Sequence, residues 1–115
     1  MTILRVLLVL SMAALPACGD DGGAAAPAAP SGLAAEPLTG GAHLTWTDNS
    51  DDEVEFMIMR KTGAAGASTT IATVPFDSTA YHDAPLVSGT TYTYMVMAIN
   101  DIGTTESNEV EFTAP

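Results

Sequence analysis

The chain has 115 residues, one cysteine, and 14 acidic against three basic side chains, for a formal charge of −11. That balance repels phosphate backbones and removes the counterion-release term on which nucleic-acid binding depends, so no nucleic-acid partner is expected. A lone cysteine excludes an internal disulfide framework, and the length suits one small domain with a tail.

Met1–Arg5 is a short basic start and Val6–Leu15 an apolar run. The run is about half of the roughly 20 residues that a transmembrane helix needs, so it predicts the hydrophobic region of an export signal. It closes on Leu15-Pro16-Ala17-Cys18, which resembles the lipobox of bacterial lipoproteins: leucine first, a small residue before the cut, then the cysteine that receives lipid. Pro16 departs from the small or β-branched residue usual at its place, since proline fixes φ and removes a backbone donor. The resemblance implies a signal peptide over 1–17, acyl chains on Cys18 and a lipid-anchored place in a bacterial cell envelope. Gly19 stands where an aspartate retains some lipoproteins in the inner membrane, which favours the outer membrane over the inner. The competing reading is an ordinary secretory signal that leaves Cys18 as a free thiol. With 1–17 removed, only Arg60 and Lys61 face all 14 acidic residues. Attachment to anionic lipid by charge is therefore disfavoured, and the membrane is reached through acyl chains, of which two or more anchor stably.

Gly19–Pro30 contains only Gly, Ala, Asp and Pro, a composition with nothing to form a core, so 18–30 is expected to be the lipidated cysteine and a flexible linker. As a coil the linker would span about 19 Å. From Ser31 the pattern turns to period two. Ala42, Leu44 and Trp46 alternate with His43, Thr45 and Thr47; Val54, Phe56 and Ile58 with Glu55, Met57 and Met59; Tyr92, Tyr94, Val96 and Ala98 with Thr91, Thr93, Met95 and Met97. These are half-buried strands, and shorter runs at 69–74, 79–83 and 108–113 supply more. Gly, Pro, Asp and Asn clusters separate them, so 31–115 is predicted to be one all-β antiparallel sandwich of about seven strands.

The order of short pieces in 31–115 is similar to a fibronectin type III domain, an immunoglobulin-like sandwich. Pro30 with Leu33 resembles its strand A and Leu44-x-Trp46 its strand B. The run WTDNSDDEVEFMIMR is similar to one frequent in bacterial members, with Phe56 and Ile58 on the core face of strand C. Leu86-Val-Ser-Gly89-Thr-Thr-Tyr92 resembles the tyrosine corner that opens strand F, followed by Tyr94-x-Val96-x-Ala98-x-Asn100, and SNEVEF resembles strand G. The implied core comprises Trp46, Phe56, Ile58, Leu86, Tyr92, Tyr94 and Val96. Members that bind integrins carry Arg-Gly-Asp between strands F and G; the matching loop here, Asn100–Glu106, has no arginine, and that activity is not implied.

Chemistry is sparse. Asp48, Asp51, Asp52, Glu53 and Glu55 gather carboxylates in one turn, yet the sixth position from Asp48 is Glu53 where a helix-loop-helix calcium loop needs glycine. The expectation is a solvated turn whose Asp48 and Asn49 bond their own backbone, with no metal and no cofactor. His82 and Asp83 are adjacent on a strand and point to opposite faces, so they cannot act as base and orienter, and His43 is placed on the outer face of strand B. No hydrolase, metalloprotease or nucleotide motif is present, and no enzyme activity is expected. With Phe56 and Ile58 inward, Met57 and Met59 point outward, and by the same parity so do Met95, Met97 and Ile99. In the family strands C and F are neighbours, so these five residues predict one apolar patch of a kind that adaptable binding surfaces use. An unidentified protein is the partner this favours. The alternative is a noncatalytic accessory module that positions a polysaccharide or a secreted enzyme at the envelope, which exposed aromatic side chains would support; Phe76, Tyr81 and Phe112 are the candidates.

Overall fold

A computed structural model describes residues 25–63 and 66–115, so the signal segment 1–17, Cys18 and the first half of the expected linker lie outside the described residues. The period-two runs form strands as their alternation requires. In chain order they are β1 (Ser31–Leu38), β2 (Gly41–Thr47), β3 (Glu55–Thr62), β4 (Thr69–Pro75), β5 (Ala80–Asp83), β6 (Thr91–Ile99), β7 (Thr104–Glu106) and β8 (Val110–Thr113). One sheet has the order β1-β2-β5; the other has the order β4-β3-β6-β7, with β8 also paired to β6. All of these pairings are antiparallel. The fold is thus an all-β sandwich. The last strand, expected at 108–113, begins only at Val110 and pairs with the start of β6, while Thr104–Glu106, expected to lie in the loop between strands F and G, pairs with the end of β6. Between them the Ser107 amide donates to the Val96 carbonyl at 2.8 Å and its hydroxyl takes the Val96 amide at 2.9 Å.

Between the sheets lie Leu33, Ala42, Leu44, Trp46, Phe56, Ile58, Tyr92, Tyr94, Val96, Ala98, Phe112 and Ala114. Trp46 meets Phe56 edge-on, with ring centroids 5.8 Å apart, which joins the two sheets through a favoured aromatic geometry. Leu86 is only partly buried and packs on the margin of this core. The Val87 amide donates to the Tyr92 hydroxyl at 3.1 Å, five residues on, and so closes the tyrosine corner. Val54 shares the parity of Phe56 but is 56% exposed, because it stands in the loop ahead of β3, where strand alternation no longer holds.

The linker expected at 18–30 is corrected in its second half. Pro27 and Pro30 are buried. Asn100 Nδ2 donates to the Ala25 carbonyl at 2.8 Å, and Asn49 Nδ2 donates to the Ala29 carbonyl at 2.8 Å. Proline brings apolar surface and little conformational entropy to lose, so an Ala/Pro segment can pack where a Gly/Ser one does not. The carbonyls are satisfied by amides on loops far along the chain, which no local pattern reveals.

Candidate functional site

Three constellations of side chains stand out. The first joins the sheets at one edge. Asp83 on β5 is paired in register with Ala42 and therefore faces inward, where its carboxylate takes Arg60 Nη1 on both oxygens at 2.9 and 3.2 Å and the Tyr94 hydroxyl at 2.7 Å. Arg60 also lies over the Tyr92 ring, 5.3 Å from its centroid, a cation–π geometry. Burial pushes the Tyr94 phenol well above its ordinary value of 10, and the hydrogen bond to anionic Asp83 adds to the shift. Burial alone would lower Arg60, but the bonds and charge of Asp83 outweigh it and raise the guanidinium. Both Asp83 oxygens, Arg60 Nη1 and the Tyr94 hydroxyl are engaged in holding the sheets together, which makes the network structural. His82, the neighbour of Asp83, points the other way and meets His43, with rings 4.5 Å apart. His43 stands opposite Glu36 in the ladder, but among the described residues no hydrogen bond joins either histidine to a carboxylate as in a catalytic pair.

The second is the outer face of the larger sheet. Met57 is opposite Met97 and Met59 opposite Met95, with Glu55 opposite Ile99. The parity argument placed Met57, Met59, Met95, Met97 and Ile99 together, and the register pairs the four methionines directly while setting Ile99 opposite Glu55. They are half-buried, not fully exposed, since each covers its partner. The Thr70 hydroxyl bonds the Met59 sulfur at 3.1 Å, beside a register shift between Ile58 and Met59. Acidic side chains border the patch: Glu106 opposite Met97, and Glu111 opposite Thr93. An open groove of about 290 Å³ continues from it between Lys61, Thr93, Glu109 and Glu111.

The third corrects the expected solvated turn. Asp51 and Asp52 are exposed, and the Ser50 amide caps Asp48 Oδ1 at 3.0 Å as an Asx turn does. Glu53, however, is only 7% exposed. Its Oε2 accepts the Asp77 amide at 3.0 Å, and carboxylate oxygens of Asp48, Glu53 and Asp77 lie within 4.8 Å of one another. Asp77 belongs to the β4–β5 turn and escaped the sequence reading because the approach is made only by the fold. Burial, then the charges of Glu53 and Asp77, push Asp48 up against the opposing pull of the Ser50 amide. Glu53 moves the other way: burial would raise it, but the Asp77 amide, and the neighbouring polar groups of its own backbone, Asp48 and Ser50, hold it below the ordinary value.

Of the three aromatic candidates for carbohydrate contact, Phe76 is 62% exposed, Tyr81 is half-buried and Phe112 belongs to the core.

Comparison with solved structures fixes the family. An Fn3-like protein from Clostridium thermocellum is 35% identical, over 79% of this chain and 96% of that one, with a TM-score of 0.66. The chain belongs to the fibronectin type III family. The FN3 domain of human collagen XX is 25% identical over 79% of this chain and all of that one, again with a TM-score of 0.66. The pectate lyase PelI of Erwinia chrysanthemi is 21% identical, and the match spans 28% of that enzyme with a TM-score of 0.67; at that identity the likeness is one of fold. No family model matches the sequence, and no curated protein matches it. In family terms β1, β2, β3 and β6 are strands A, B, C and F, and β7 with β8 make up strand G. A fibronectin type III fold of this kind is a binding or structural module.

Proposed function

We propose that this fibronectin type III domain is a noncatalytic, lipid-anchored module of a bacterial envelope, tethered through Cys18, that docks a protein partner on the sheet of strands C and F. The observation that carries the docking reading is the cross-strand methionine pairing, Met57 with Met97 and Met59 with Met95, bordered by Glu55, Glu106 and Glu111. Thioether side chains adapt to a partner's contours at small cost in strain. An apolar centre with an acidic rim suits a partner whose own surface is apolar within a basic border. The anchoring reading rests on the Leu15–Cys18 lipobox and on an acidic sequence that offers anionic lipid little attraction. With Ala25–Pro30 docked, the stretch from Cys18 to Ala25 reaches at most roughly 25 Å when extended, so the domain would stay close to its membrane.

The test combines both parts. A photocrosslinker at Met95 in intact cells should yield a discrete protein adduct that disappears when Met57 and Met59 are replaced by Thr. No adduct, or one indifferent to the replacement, refutes docking on this face. Cys18→Ser should move the folded chain from the membrane to the soluble fraction; a variant still membrane-bound refutes the anchor.

A further inference from the structure

Carboxylates from two loops meet at one end of the sandwich: Asp48 and Glu53 stand in the β2–β3 loop, one just after β2 and the other near the start of β3, and Asp77 lies in the β4–β5 turn. Oxygens on opposite sides of a calcium ion, each at the usual 2.3–2.6 Å, stand about 4.6–5.2 Å apart, whereas around magnesium the limit is about 4.2 Å. The three carboxylate oxygens all lie within 4.8 Å of one another, which one calcium shell can span.

A separate observation points to a missing ligand. Glu53 is more than nine-tenths buried, and while its Oε2 takes the Asp77 amide, its Oε1 is buried with no hydrogen-bond partner. A carboxylate oxygen removed from water and given no donor is costly, and native structures rarely leave one so. Among the described residues no basic side chain closes the gap: Arg60 is paired with Asp83 and Lys61 with Glu109.

We propose that Asp48, Glu53 and Asp77 form a calcium site, with water completing the coordination shell. The ion would clip the end of β2, the start of β3 and the β4–β5 turn together, and so hold in place the loops that present Val54 and Phe76, 56% and 62% exposed. The site is independent of membrane attachment and of the methionine face. Its three carboxylates suit the weak range of extracellular modules, with a Kd on the order of 10⁻⁴–10⁻³ M.

The full chain, stripped with EDTA, is titrated with calcium chloride and with magnesium chloride by calorimetry and melted in the presence and absence of each. Calcium should bind in the stated range and raise the melting temperature, and magnesium should bind more weakly by at least about tenfold. Glu53→Gln retains side-chain volume and an acceptor for the Asp77 amide. Asp77→Asn retains the backbone conformation at φ 66°, which Asn tolerates. Both variants should fold and should lose about tenfold or more in calcium affinity, at least what loss of an outer-shell contact costs a metal site. The proposal is overturned if calcium leaves heat and melting unchanged, if magnesium binds as tightly, or if both variants bind calcium like the parent chain. A parent chain indifferent to calcium but stabilised by mild acid would identify a shared proton between the carboxylates in place of the ion.

Discussion

Replacing Asp83 by Asn tests whether the polar link between the sheets stabilises the sandwich. The change preserves shape but removes the charge that receives Arg60 at 2.9 and 3.2 Å and Tyr94 at 2.7 Å. The Asn oxygen can still accept from one of them, while its amide is turned toward a second donor. Hydrogen bonds to a charged group contribute about 1.5–3 kcal/mol each, and removing one partner of a buried ion pair costs about 3–5 kcal/mol. The Asp83 side chain is 9% exposed but that of Arg60 is 29% exposed, so water recovers part of the loss and the expectation falls to about 2–4 kcal/mol. Against a typical total of about 5–15 kcal/mol this is a large fraction. It corresponds to a fall in melting temperature of roughly 10–25 °C for a domain of this size. Urea unfolding followed by the fluorescence of Trp46, the single tryptophan and 5% exposed, reads the difference directly. Asp51→Asn at an exposed position is the control and should stay within about 0.5 kcal/mol of the parent. If Asp83→Asn does the same, the network contributes nothing net and the reasoning fails.

Tyr94 gives the same network a pH signature. Its phenol is raised above the ordinary value of 10, so above that pH the unfolded chain has released a proton that the folded chain still holds. Stability therefore falls as pH rises through and beyond the ordinary tyrosine range, by at most about 1.4 kcal/mol per pH unit from this group. Tyr94→Phe should be less stable than the parent near neutrality by about 1–2 kcal/mol and should show a shallower alkaline decline in urea midpoints; equal slopes would sink this assignment. Gly41→Ala should destabilise by about 1–3 kcal/mol, because an added Cβ would run into the Asp83 carbonyl and stand 2.7 Å from the Ala84 methyl. Unfolding curves that coincide with those of the parent would show that β2 and the end of β5 can separate there without penalty.

Much of the sandwich was legible before any coordinates because alternation on a two-sided sheet leaves few choices. Trp46, Phe56, Ile58, Tyr92, Tyr94 and Val96 are all buried, as a single inward face demands. The methionine pairing was legible for the same reason: once Phe56 and Ile58 are inward and strands C and F adjacent, Met57 and Met59 can meet only what lies opposite. Asp83 was legible in principle, since it shares parity with the inward Tyr81, but a carboxylate adjoining a histidine draws attention to catalysis before packing. The docking of Pro27 was not legible, because an Ala/Pro tract has the composition of a spacer and its partners, Asn49 and Asn100, lie in distant loops.

The sequence by itself determined the class of fold, the strand faces, the core and the candidate lipidation site, because each follows from local spacing and residue type. Only the tertiary structure decided which charged groups meet. Asp83 reaches Arg60 across the two sheets, and Asp77 reaches Glu53 from a turn 24 residues away in the chain. Periodicity records which side of a strand a residue occupies, but the distance between two loops is set only when the sheets they end are packed against each other.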